Sequence, residues 1–218
     1  MLPKKSKRGD FLIISIEGPD YSGKSTIAEL IVNHFNELHP STSKVGQYAI
    51  HLRRPGGSYA CDDLRQKITS MKMLSDTRQI LAFAEEILLN YTVPPFHKLF
   101  IYDRFNPISG QIYGPSEMNI HWQWLVESEI IAIPDLVIFI DTPLEVLMER
   151  CNREKRDLMD EYFIAKAPKI LENYKCIKQS PWFNQHFRHT TVNNCGTLDC
   201  LQSSIMSIIK KELKEKNV

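Results

Sequence analysis

The stretch Phe11-Leu12-Ile13-Ile14-Ser15-Ile16-Glu17-Gly18-Pro19-Asp20-Tyr21-Ser22-Gly23-Lys24-Ser25-Thr26 decides the fold. Its first part, Phe11 to Ile16, has the length and β-branched content of a buried strand. Gly18 to Ser25 then follows the pattern G-x-x-x-x-G-K-S. Glycines at those positions let the backbone wrap closely, so that successive N–H groups point inward and cradle phosphate oxygens. Lys24 is placed to reach β- and γ-phosphates, and the Ser25 hydroxyl to hold Mg2+. From Thr26 to Leu38, the residues Ile27, Leu30, Ile31, His34, Phe35 and Leu38 recur at helical spacing. Strand, loop and helix in that order predict a phosphate-binding loop.

Further out, the apolar runs Val45–Leu52, Leu99–Tyr102, Leu136–Ile140 and Phe187–Val192 read as four more strands, separated by helical patterns. Strands alternating with helices predict an α/β fold of the P-loop NTPase type: three α/β/α layers, a five-stranded mostly parallel sheet and a short helical lid. In such sheets ligands bind beyond the carboxyl ends of the strands, so the residues just after each run are candidates for chemistry.

After the second strand comes Arg53-Arg54-Pro55-Gly56-Gly57-Ser58, which reads either as an arginine clamp for an anion or as a surface turn. After the third comes Asp103-Arg104, an acid placed to organise Mg2+ beside an arginine placed to meet a second phosphate, or else a structural ion pair. After the fourth, Asp141-Thr142-Pro143 reads as a helix start, with Asp141 as a cap. That helix runs into Arg150-Cys151-Asn152-Arg153-Glu154-Lys155-Arg156-Asp157, a basic segment suited to a lid over transferring phosphates, or to a solvated helix face. Asp160 to Lys178 and Leu198 to Leu213 read as amphipathic packing helices.

Composition narrows the classes. With 218 residues, 43% of them hydrophobic, the chain has material for one substantial core, and its net charge of +1 offers no global attraction for nucleic acid or membrane. One domain is expected over residues 10–215, with a lid at about 150–160 and a basic flexible tail at 1–9. The five cysteines form no C-x-x-C pair, and the basic start lacks the apolar stretch of a secretory signal. A reducing cytoplasmic setting is expected, with the nucleus left open.

These motifs together resemble the thymidylate kinase family. The resemblance runs from about Phe11 to about Val192, through Glu17 to Thr26, Arg53 to Ser58, Asp103-Arg104-Phe105 with Ser109 and Tyr113, Pro134-Asp135-Leu136 to Asp141, the arginine-rich lid, and Asp160-Glu161 with Phe163 and Tyr174. It implies transfer of the ATP γ-phosphoryl to dTMP with Mg2+, in dTTP synthesis. Gly18, Tyr21, Ser22, Gly23, Lys24, Ser25 and Thr26 would bind ATP, and Ser25 and Asp103 the metal. Asp20 would face the sugar 3′-hydroxyl, and Arg53 and Arg104 would hold the acceptor phosphate. Ser109, Tyr113 and Tyr174 would line the acceptor site, and Phe83 would stack on the base. Because Tyr21 and Ser22 leave the loop without a basic residue, the catalytic cation duty would fall to Arg150, Arg153 and Arg156, beside Lys24, Arg104 and Asp20. A homodimer is implied, with the apolar faces Ile80–Leu89 and Trp122–Ile133 as candidates.

Several departures from the family pattern concern the acceptor: Ser58 replaces a Thr, and Gly114 stands where a Gln or Thr often contacts the base. Arg54 stands where the family has an acid, and Glu86 or Ile87 stands where it has an arginine that donates to thymine. A carboxylate accepts from an amino group and cannot donate to a carbonyl, so the phosphate chemistry is expected to be intact while base choice is open, with dTMP the leading acceptor. A kinase for another nucleoside monophosphate or for a deoxynucleoside, and a non-catalytic nucleotide-binding member, are the alternatives. A GTPase-like switch lacks its N-K-x-D segment here.

Overall fold

A computed structural model describes residues 11–41, 46–54, 75–92, 96–153, 158–194 and 197–218. The tail at 1–9, the segment Pro55 to Ser58, Val45 and the lid residue Arg156 lie outside these, as do the side chains of Asp160 and Glu161. The strands are β1 Leu12–Glu17, β2 Ala49–Arg53, β3 Leu99–Asp103, β4 Leu136–Asp141 and β5 His189–Asn193. They form one sheet in the order β2-β3-β1-β4-β5, with every pair parallel. A parallel crossover requires a connecting segment long enough for a helix, which the alternating sequence pattern supplies.

The helices are α1 Lys24–Leu38, α2 Ser75–Thr92, α3 Asn106–Tyr113, α4 Asn119–Glu127, α5 Leu144–Arg153, α6 Leu158–Gln179, α7 Pro181–His186 and α8 Leu198–Lys216, with a 3-10 turn at Ser116–Met118. Alternation along the strands divides the core between two faces. Leu12, Ile14, Ile16, Ile101 and Ile138 pack with Ile27, Ile31 and Phe35 of α1 and Leu201, Ile205 and Ile209 of α8. Ile13, Phe100, Tyr102, Val137 and Phe139 pack with residues of α2 through α7, including Ile108, Trp122, Leu147, Phe163 and Phe183. All six β1 residues are buried, which is why that strand reads as a continuous apolar run.

Two strand edges differ from expectation. β2 starts at Ala49, where the Tyr48 carbonyl accepts from both Lys98 and Leu99, and β5 starts at His189. Phe187 instead ends α7, its N–H donating to the Phe183 carbonyl while its ring stacks on Phe183 at 4.9 Å. Asp141 closes β4 and is exposed, and the Thr142 hydroxyl is buried without a hydrogen-bond partner. At the amino edge of the sheet, Lys216 Nζ donates to the Phe11 carbonyl at 3.2 Å and lies 2.8 Å from Asp135 Oδ1. Asp135 Oδ2 accepts in turn from Ile13 N at 2.9 Å, so the end of α8 is fastened to the start of β1.

Candidate active site

The carboxyl ends of the five strands bring the candidate residues to one edge. Between β1 and α1 the chain makes a tight loop. A Cβ on Gly18 would lie 2.6 Å from Ser22 Oγ and 3.2 Å from the Ile140 carbonyl, and Gly23 has φ of 84°. Both positions therefore require glycine, the first for close approach and the second for a left-handed backbone. Tyr21 is also left-handed, at φ 66°, a strain that persists where surrounding contacts hold it. The Ser22 carbonyl accepts from Asn194 Nδ2 at 2.9 Å, so the end of β5 supports the loop from behind.

Lys24 opens α1 and is largely buried, its ammonium donating to the Pro19 carbonyl at 3.2 Å and to Asp20 Oδ1 at 3.4 Å. Burial and the Arg104 charge lower its pKa, against the pull of Asp20 and Asp103. Arg104 forms an ion pair with the same Asp20 oxygen and donates to Tyr113 Oη at 3.3 Å, its guanidinium 4.8 Å from that ring's centre. Burial pushes the Asp20 carboxyl up, but Arg104 and Lys24 outweigh it and hold the group below the usual carboxylate range. The cation from the phosphate loop and the cation from the third strand thus meet on one carboxylate, which is itself 37% exposed.

Ser25 Oγ donates to Asp103 Oδ2 at 2.5 Å, while Asp103 Oδ1 is buried without a hydrogen-bond partner. Burial raises the Asp103 pKa, but His51, Lys24 and Ser25 bring it well below the usual range, so the group stays ionised. A hydroxyl beside an ionised carboxylate with a spare oxygen is a hard-oxygen donor set, and it fits Mg2+. Arg53, at the end of β2, lies 3.7 Å from Asp103 Oδ2 and is 48% exposed, free to turn toward the mouth.

Of the lid arginines, Arg150 reaches the loop, donating to the Tyr21 carbonyl at 2.9 Å. Arg153 does not: it pairs with Glu149 one turn away, and its side chain is 72% exposed. On the acceptor side Tyr113 and Tyr174 meet edge to face at 6.4 Å, and burial raises both hydroxyl pKa values. Ser109 is buried near them with its hydroxyl unpartnered, and Phe83 stands beside Trp122 and Trp124 at 5.5 and 6.4 Å. Thr26, in the first turn of α1, is exposed.

Glu86 differs most from expectation. It is 2% exposed and ion-paired with Arg54, itself 1% exposed, so its carboxylate faces the interior and not a base. The Arg54 guanidinium lies 3.8 Å over the Tyr102 ring, and the Glu86 charge raises its pKa against burial, which favours the neutral form. The departures at Arg54 and Glu86 are therefore one event, a buried ion pair. Sequence reasoning also missed Glu17, His51 and Asn194. The first and last lie where strands β1 and β5 meet their loops, so the rule of inspecting strand ends applies to them as it did to Asp103.

The family model for thymidylate kinase matches residues 16–194. The chain belongs to the thymidylate kinase family. It is 28% identical over 160 residues to the thymidylate kinase of Fervidobacterium nodosum, covering 69% of this chain and 76% of that protein. It is 26% identical over 182 residues to that of Latilactobacillus sakei, covering 77% of this chain and 82% of that one. In fold, it is similar to the thymidylate kinase of Candida albicans, with a TM-score of 0.66 at 19% identity over 93% of this chain and 92% of that one. It is likewise similar to the Ehrlichia chaffeensis enzyme, at 0.65 and 17%, over 91% and 98%.

Proposed function

We propose that this protein is an ATP-dependent thymidylate kinase that transfers the γ-phosphoryl of ATP to dTMP, within a single domain spanning residues 10–215. The observation that carries the reading is the meeting of Lys24 and Arg104 on Asp20, next to the Ser25 and Asp103 oxygens. Phosphoryl transfer asks for two anionic nucleotides in line, water excluded, and cations where charge spreads over the equatorial oxygens. Lys24 serves the donor phosphates, Arg104 and Arg53 the acceptor phosphate, and Arg150 stands above the loop with the same task. Asp20 keeps the two inner cations from repelling one another until the nucleotides enter, then accepts from the sugar hydroxyl. Ser25 and Asp103 would hold Mg2+, whose charge neutralises the phosphates of bound ATP. Tyr113 and Tyr174 wall the sugar, and Phe83 offers a ring for the base.

A homodimer is part of this reading. Ile80 and Leu88 of α2 are 61% and 51% exposed, and Ile120 and Trp124 of α4 are 67% and 53% exposed, which supports association through these helices. Sedimentation of the purified protein decides it.

The test of activity is ADP release from ATP with Mg2+ over a panel of dTMP, dUMP, dCMP, dGMP, dAMP and thymidine. Turnover led by dTMP is expected, and Lys24→Ala is expected to abolish it while leaving the unfolding transition in place. Turnover led by an amino-bearing base would move the acceptor, and silence across the panel would sink the kinase reading.

A further inference from the structure

The turn after β3 carries Arg104 in an uncommon backbone conformation. Its φ is 75°, a left-handed region that arginine avoids unless neighbouring contacts impose it. The hydrogen bonds that impose it come from β1. Arg104 N donates to the Ile16 carbonyl at 3.1 Å, and the next N–H, that of Phe105, donates to Glu17 Oε1 at 2.6 Å. Glu17 is 0% exposed; the same oxygen accepts from Ser15 Oγ at 2.8 Å, and Oε2 has no partner. Phe105 is 0% exposed as well, so without that acceptor its N–H would be buried and unmet. From Phe105 the chain passes into α3, whose first turn donates to the Phe105 carbonyl from Ile108 and Ser109.

We propose that Glu17 is the positioning residue for Arg104: by accepting from Phe105 N–H it holds the left-handed turn that aims the guanidinium at Asp20 and Tyr113. This rests on the reading that Arg104 meets the acceptor phosphate. The carboxylate touches no substrate. Its spare oxygen sets it apart from the ion-paired acids of the site: what the turn uses is an oxygen at one place and not a charge. A positioning error of about 1 Å at such a group costs on the order of 100-fold in rate, which sets the scale expected when that oxygen is withdrawn.

Glu17→Gln keeps an acceptor oxygen at the same reach and removes the charge; Glu17→Asp keeps the charge and withdraws the oxygen by one methylene. With the full chain, kcat/KM for dTMP is expected to stay within about threefold of the parent in the glutamine variant. It is expected to fall by on the order of tenfold or more in the aspartate variant, with KM for ATP little changed in either. Amide hydrogen exchange supplies a readout independent of turnover: Phe105 N–H stays protected in parent and glutamine variant and exchanges faster in the aspartate variant. An aspartate variant with parental acceptor kinetics, or one whose KM rises equally for both nucleotides, overturns the proposal. The glutamine variant decides alone if the aspartate protein does not fold, because a tenfold loss there makes the charge the operative feature. If the parent transfers phosphate to no nucleotide, the kinase reading fails by itself, and Phe105 exchange still decides whether Glu17 holds the turn.

Discussion

Two arginine–carboxylate pairs stand just beyond the neighbouring strands β2 and β3, and they differ in their access to water. Arg104 with Asp20 is 14% and 37% exposed; Arg54 with Glu86 is 1% and 2% exposed. The backbone couples them, since Arg54 N donates to the Asp103 carbonyl directly before Arg104. An ion pair at an open mouth is cheap to exchange, so a phosphate entering from solvent can take over the arginine. A sealed pair has no such option, because separating its members strands a charge in low dielectric. The same pairing of arginine with carboxylate is thus open to an entering anion in one place and a strut in the other.

The comparison is broken most strongly at the open pair. Arg104→Ala is expected to lower turnover on the order of 1000-fold while the unfolding midpoint stays near the parent, read by ADP release and urea denaturation side by side. A drop in stability matching the drop in turnover would make both pairs struts. At the sealed pair the signs reverse. Arg54→Met or Glu86→Gln alone is expected to cost about 3 to 5 kcal/mol in unfolding free energy, and Arg54→Met with Glu86→Leu to recover most of it. Additive losses in the double variant would show that the pair is not a unit.

Glu17 adds a third kind of buried acid, held by hydrogen bonds from Ser15 and Phe105, and burial pushes its pKa from 4.5 up to about 7 despite those bonds and the Arg104 charge. Its folded value lies above its unfolded one, so the stabilisation is full below about pH 4.5 and is lost as pH rises through 7. Relative to Glu17→Gln, the parent is expected to lose up to about 3 kcal/mol of stability over that window, measured by urea unfolding at a series of pH values. A flat difference between the two proteins would place the carboxyl in a wetter setting. The smallest effect belongs to Arg153, which is exposed and paired with Glu149. Arg153→Ala is expected to shift unfolding by less than about 0.5 kcal/mol.

What was legible in the sequence follows from the same contrast. Lys24, Ser25, Asp103 and Arg104 were readable because each sits beside an apolar strand run, where the topology of parallel sheets places ligands. β1, β3 and β4 were readable because burial on both faces leaves nearly unbroken apolar runs, whereas the edge strands β2 and β5 are only partly buried and their starts were misjudged. Arg54 with Glu86 was not readable as a pair: the partners are 32 residues apart, and both looked like solvent-facing or ligand-facing charges. Asn194 supports Ser22 across 172 residues, and no local pattern encodes such a contact. Lid position was read from composition, which gave Arg150 and Arg153 equal standing. The structure separates them: Arg150 reaches the Tyr21 carbonyl, whereas Arg153, nearly one turn further along α5, pairs with Glu149.

The bond from Lys216 to the Phe11 carbonyl has a consequence for chain connectivity. It places the last turn of α8 against the amino end of β1, at the sheet edge opposite the phosphate loop. In topological terms, the order of elements closes into a ring there. A peptide joining that junction, with new termini opened in a connection on the same edge, would yield a circular permutant in which every strand keeps its neighbours. The chemistry lies at the other edge, so the sequence order of the elements and the working geometry of the site are separable properties of this fold.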